Sequence, residues 1–65
     1  MDAKELGSII KKYRLEMGLT QKALAKMIPV TRQAVSNWEN GKAIPDYSAL
    51  IILSRIFNNH MDDMI

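Results

Sequence analysis

Residues 20–42, TQKALAKMIPVTRQAVSNWENGK, read as two short helices joined by a tight turn. Thr31 suits the cap of the second helix, because its hydroxyl can accept a bond from a free N–H of the first turn. Helical positions then run from Arg32 to about Asn40, and Gly41 suits the left-handed stop that follows. At ~100° per residue, Arg32, Gln33, Ser36, Asn37 and Asn40 fall within an arc of about 140°. Ala34, Val35 and Trp38 fall on the opposite side as an inward stripe that anchors the helix, and Glu39 sits at the edge. Arginine pairs bidentately with guanine and asparagine or glutamine with adenine, while serine is less selective. The centre of this face holds no acid that would repel phosphate. Any surface helix has a polar face, but solvated faces usually mix lysine with glutamate. This one is rich in amides and lacks lysine.

The preceding helix starts at Thr20, another suitable N-cap, and runs to Met27 or Ile28. Leu24, Met27 and Ile28 form its apolar stripe, and Ala25 is small enough to let a neighbouring helix approach. Gln21 lies in the first turn and points outward, where an amide can bond a phosphate beside the helix N-terminus. Its plainer role is that of a good helix former.

The segments LGSIIKKYRLEMGLTQKALA, VTRQAVSNWENGK and IPDYSALIILSRIF together resemble the lambda-repressor/Cro-like helix-turn-helix family, also called the XRE family. The resemblance extends from Leu6 to Ile65, and its most specific parts are GLTQKALA and SNWENGK. It implies an all-α fold, a compact bundle of five helices whose second and third form the helix-turn-helix unit. It also implies binding to a double-stranded DNA operator, usually as a dimer on a pseudo-palindrome. By resemblance, Gln21 matches a phosphate-contacting position. Arg32, Gln33 and Asn37 match base-reading positions, with Ser36 between them. Thr31, Asn40 and Lys42 match backbone-contacting positions. Arg14 and Glu39 match a pair that forms a salt bridge between the first and third helices in many relatives, which would use the Glu39 charge internally.

The sequence departs from the family pattern at Pro29, where many relatives carry glycine. Proline fixes φ near about −65° and cannot take the left-handed conformation that glycine provides. It also disfavours the α region for the residue before it, so Ile28 is expected to leave that region and the second helix to end at Met27.

The first helix is expected from about Asp2 to Met17, ending at Gly18, with Leu6, Ile10, Tyr13 and Met17 as its core stripe. The fourth is expected to begin near Asp46, after Pro45, with Ala49, Leu50, Leu53, Ile56 and Phe57 inward. Ile51 and Ile52 do not fit that stripe. Asn58 or Asn59 is expected to end this helix, and a final turn to follow through Met61, Asp62, Met64 and Ile65. Ile52, Met61, Met64 and Ile65 are candidates for the seam of a homodimer formed through the C-terminal helices; alternatively, Met61 and Met64 complete the core of their own chain.

Composition bounds the remaining classes. The 65 residues form one domain, 1–65, with a small core. There is no cysteine, hence no disulfide framework and no thiolate metal site. No apolar run reaches membrane-spanning length, and the N-terminus lacks the basic start and long apolar segment of a signal peptide, so the expected location is cytoplasmic. The net charge is only +2, but its distribution is uneven. Residues 11–42 carry seven basic side chains against Glu16 and Glu39, while the remainder is acid-rich. The positive half coincides with the two central helices.

His60 is the single histidine and has no cysteine partner, while Asp62 and Asp63 read as solvated helix-terminal charges. Gly7, Gly18 and Gly41 are scattered and form no phosphate cradle. No enzyme, cofactor, metal or small-molecule ligand is therefore expected. The expected function is sequence-specific DNA binding by a transcriptional regulator, a repressor that blocks polymerase. The alternative, from a different class, is a protein-interaction module of the same fold.

Overall fold

The computed structural model describes residues 2–63, with side chains described through His60. It contains four α-helices: α1 (Ala3–Glu16), α2 (Gln21–Met27), α3 (Arg32–Glu39) and α4 (Tyr47–Asp63). No strand occurs among the described residues.

Each helix starts on a side-chain cap. The Asp2 carboxylate accepts from the Glu5 N–H at 2.8 Å. The Thr20 and Thr31 hydroxyls accept from the N–H groups of Ala23 and Ala34 at 3.0 and 3.1 Å. Asp46 does the same for Ala49 at 2.8 Å. Each cap satisfies one of the N–H groups that a helix start leaves without an internal partner.

The ends are also specified. α1 and α3 close with the two-bond glycine motif. Leu19 N–H reaches Arg14 O and Gly18 N–H reaches Leu15 O, both at 3.0 Å. Lys42 N–H reaches Asn37 O at 2.9 Å, and Gly41 N–H reaches Trp38 O at 3.1 Å. Gly18 and Gly41 hold φ of 71° and 72°, the left-handed conformation this motif needs.

α2 ends differently. Val30 N–H still reaches back to Ala25 O at 2.8 Å, but Pro29 has no N–H for the second bond and no left-handed φ. The helix stops at Met27, as expected. Ile28, however, stays in the α region at φ −81° and ψ −31°, contrary to the expectation that proline would displace it. The bond from Val30 to Ala25 holds this last turn helical against the preference set by proline.

The expected five-helix bundle has four helices instead. α4 runs unbroken through Asn58 and Asn59, and it takes in Met61 and Asp62, residues expected in a separate final turn. Asparagine is less favourable than alanine inside a helix by only about 0.7 kcal/mol. Both amides are solvent-exposed, and no glycine or proline interrupts the segment. Phe57 packs inward just before them, so continuing the helix keeps that anchor. Met64 and Ile65 lie outside the described residues.

The core consists of Ile10, Leu24, Ala25, Ile28, Val35, Trp38, Ala49, Leu53 and Phe57. Leu6, Tyr13, Met17, Ile52 and Ile56 pack around it. The Tyr13 ring lies 5.2 Å from that of Phe57, joining α1 to α4. Two expected core residues are exposed, Met27 at 47% and Leu50 at 37%. Ile52, expected off the core stripe, packs against the core. The inward face of α4 is thus rotated toward Ile52 and away from Leu50.

α1 and α2 both pack on α3, and Gly7 sets how closely α1 approaches. A Cβ at Gly7 would lie 2.1 Å from the Trp38 carbonyl oxygen, a collision with backbone. Gly7→Ala gains up to about 1 kcal/mol of helix propensity. Overpacking costs about 1–3 kcal/mol, and a backbone carbonyl that cannot swing aside puts Gly7 at the upper end, so the collision should win. Urea denaturation should therefore show a net loss of stability; a variant as stable as the parent would refute the close approach.

Candidate nucleic-acid interface

Thr31 ends the turn and starts α3, and the inward residues Val35 and Trp38 fix the rotation of that helix. The opposite face carries the residues expected to read DNA. Arg32 and Gln33 are exposed, and Ser36 and Asn37 are half-buried. Asn40 and Lys42 are exposed at the far end, and Thr31 at the near end. Gln21, at the start of α2, is half-buried beside them. The fold therefore brings the expected base-reading and backbone-contacting residues of the two helices into one region.

Hydrogen bonds order this face. Gln33 donates its amide to Asn37 Oδ1 at 3.0 Å, and Asn40 donates to Ser36 Oγ at 3.4 Å. Both are contacts between side chains four residues apart on a helix. They bias the orientations of neighbouring polar side chains on the surface.

Beneath the face lies an ion pair between α1 and α3. Arg14 Nε lies 2.6 Å from Glu39 Oε2, and Arg14 Nη2 donates to Glu39 Oε1 at 3.0 Å. The third guanidinium nitrogen, Nη1, donates to Leu19 O at 2.8 Å in the connection to α2. The side chains are only 9% and 3% exposed. The two parallel bonds match the planar fork of arginine to the carboxylate. Glu39 thus faces inward with its charge neutralised, and the outward face of α3 is free of acid.

The pair extends to the surface. Gln21 Nε2 donates to Glu39 Oε1 at 3.1 Å, and Arg32 Nη1 donates to Gln21 Oε1 at 3.3 Å. Gln21 does not simply point outward, as its place in the first turn of α2 had indicated. Its amide bridges a buried carboxylate and an exposed guanidinium. Spacing within one helix carries no signal of this bridge, because its partners come from another.

His60 is remote from this face. Its Nε2 lies 3.7 Å from Glu16 Oε1, beside a shallow depression of about 380 Å³ whose lining includes no residue of α3. Among the described residues, no group of three metal-ligating side chains occurs. No helix among them is long and apolar enough to cross a membrane.

A helix-turn-helix family model matches residues 10–64, which includes both helices of this unit. The chain belongs to the helix-turn-helix family, in its XRE-type branch. It is 33% identical over 61 residues to the HTH-type transcriptional activator BcrR of Enterococcus faecalis, covering 94% of this chain and 30% of that protein. It is 33% identical over 55 residues to an uncharacterized HTH-type transcriptional regulator of Archaeoglobus fulgidus, covering 85% and 79% of the two chains. It is 38% identical over 52 residues to multiprotein-bridging factor 1c of Arabidopsis thaliana, covering 80% of this chain and 35% of that one. The chain thus spans about a third of the length of two of these relatives and most of the third.

The buried ion pair is open to a direct test. Arg14→Met leaves Glu39 buried without its charge partner and should cost about 3–5 kcal/mol. The double variant Arg14→Met with Glu39→Leu removes both charges and should recover most of that loss. Chemical denaturation of the parent and both variants reads this directly; equal losses in the two would contradict a buried, mutually compensating pair.

Proposed function

We propose that this domain binds double-stranded DNA sequence-specifically and regulates transcription, with α3 in the major groove. The observation that carries the reading is the outward face of α3, amide-rich and acid-free, with the one acid of the helix drawn inward by Arg14. Arg32, Gln33, Ser36 and Asn37 read base edges, arginine toward guanine and the amides toward adenine. Gln21, Thr31, Asn40 and Lys42 set the register on phosphates. The protein acts as a repressor on a pseudo-palindromic operator, although one relative is named as an activator. It binds as a homodimer with recognition helices about 34 Å apart, one turn of DNA. Of the proposed C-terminal seam, Met64 and Ile65 lie outside the described residues, as does the Met61 side chain, and Ile52 is committed to packing against the core.

A second reading, an interaction module, is favoured by one observation. Ile44 and Tyr47 are 63% and 78% exposed, and Leu50 is exposed on the same outward face of α4 as Tyr47. An exposed apolar pair on one helix face is the kind of surface that a partner can cover. The name of the multiprotein-bridging relative points the same way.

Selection from a random duplex pool tests the first reading and should enrich an inverted repeat with half-sites about one turn apart. Arg32→Ala should then lose about 1–3 kcal/mol on the enriched site and relax one base position. Lys42→Ala should weaken all sequences alike and reduce the salt slope by about one. Tyr47→Asp should leave base preference unchanged. If no sequence is enriched and Tyr47→Asp abolishes association with a partner protein, the interaction reading replaces the first.

A further inference from the structure

We infer that Asn40–Gly41 is a covalent modification site: Asn40 deamidates spontaneously when the closing turn of α3 opens, and the product places an acid on the outward face of that helix. The chain has four asparagines, Asn37, Asn40, Asn58 and Asn59, and only Asn40 precedes a glycine. Asparagine is thermolabile, because the backbone nitrogen of the next residue can attack its side-chain carbonyl carbon. Glycine has no Cβ to crowd that approach. In the first step the Gly41 nitrogen loses its proton and bonds Asn40 Cγ, and the side-chain nitrogen leaves as ammonia with that proton. Water then opens the five-membered ring. Cleavage between the nitrogen and Cγ leaves aspartate, and cleavage of the backbone bond leaves isoaspartate. One water enters and one ammonia leaves, with no change of oxidation state.

The folded turn opposes the first step. Gly41 N–H is donated to Trp38 O at 3.1 Å, so the proton that must leave is held. Lys42 N–H, donated to Asn37 O at 2.9 Å, fixes the far side of the same segment. Asn40 has ψ of 2°, which sets its own N–Cα bond in the plane of the peptide that holds the Gly41 nitrogen. Its Cβ then stands out of that plane, whereas ring closure needs Cβ within it. Asn40 is exposed, so shielding from water contributes little and the turn is what holds the reaction back. Trp38 O is also the oxygen that a Cβ at Gly7 would strike. A change at Gly7 therefore reaches Asn40 through one carbonyl. The acid produced lies against the negative end of α3, on a face otherwise free of acid. Its effect on binding rests on the DNA reading of that face.

The experiment follows Asn40 by peptide mass spectrometry in the parent, Gly7→Ala and Phe57→Leu, each incubated at neutral pH both folded and unfolded in guanidinium chloride. Unfolded, the three chains should deamidate at one rate, since neither change touches the pair. Folded, the parent should react slower by about tenfold or more, the factor that an opening free energy of about 1.4 kcal/mol gives. Gly7→Ala should lose much of that protection. Phe57→Leu, which loosens the core at α4, should keep it when denaturant brings both variants to the same unfolded fraction. If Gly7→Ala does not fold, Lys42→Pro, which removes the bond to Asn37 O, takes its place against its own unfolded rate. The inference is overturned if the folded parent reacts as fast as the unfolded chain, or if Asn40 is unreactive in both. It is also overturned if the two variants react alike at equal unfolded fraction, since the opening is then global. Asn40→Asp supplies the product charge and should weaken binding to every duplex by about tenfold, the size of one repulsion beside phosphate; unchanged binding would overturn that consequence. If the parent binds no duplex, the DNA reading fails, and the mass spectra still decide the modification site.

Discussion

The ion pair between Arg14 and Glu39 is the constraint on which the rest of the molecule depends. Two charges are taken out of water between α1 and α3, and their geometry is satisfied on both sides. Such a pair is a weak source of net stability, since desolvation offsets much of the attraction. It discriminates well between arrangements, because any rotation or slip that separates the partners leaves a buried charge alone. Arg14 also bonds Leu19 O, which ties the connection between α1 and α2 to the same point. One guanidinium therefore relates three segments: the first helix, the entry to the second, and the end of the third.

Gly7 supplies the complementary constraint. Without a side chain it lets α1 lie directly on the Trp38 carbonyl. That carbonyl also accepts from Gly41 N–H in the closing turn of α3. The close approach and the helix stop thus meet at one oxygen. The side chains above it, Val35 and Trp38, are buried in the core and hold the polar face outward. The small core is thus held in one arrangement by a backbone contact and a paired charge.

Much of this was legible in the sequence, for local reasons. The threonine caps of α2 and α3, and the glycines after α1 and α3, mark boundaries within a residue or two. The inward stripe of α3 follows from its period. What escaped depends on contacts between elements. Gly7 looks like an idle glycine inside a helix until Trp38 lies against it. Gln21 looks outward until Glu39 arrives from another helix. The continuation of α4 past Asn58 and Asn59 was missed because asparagine is a cap only where the chain leaves the helix, and packing before it kept the chain in. Leu50 and Ile52 exchanged roles because α4 is apolar on more than one side, so period alone does not fix which side turns inward.

Pro29 has its effect in the chain before it folds. Its ring limits the backbone states open to the turn in the unfolded ensemble, and at a compatible site this stabilises a protein by about 0.4–1 kcal/mol. The folded turn keeps only one of the two closing bonds seen at the glycine stops, from Val30 N–H to Ala25 O. The reduced freedom of the unfolded chain offsets part of what the turn lacks in bonding. Only the φ of Pro29 is thus set while the protein is still a coil; Ile28 is turned against the preference of the proline when the last turn of α2 closes.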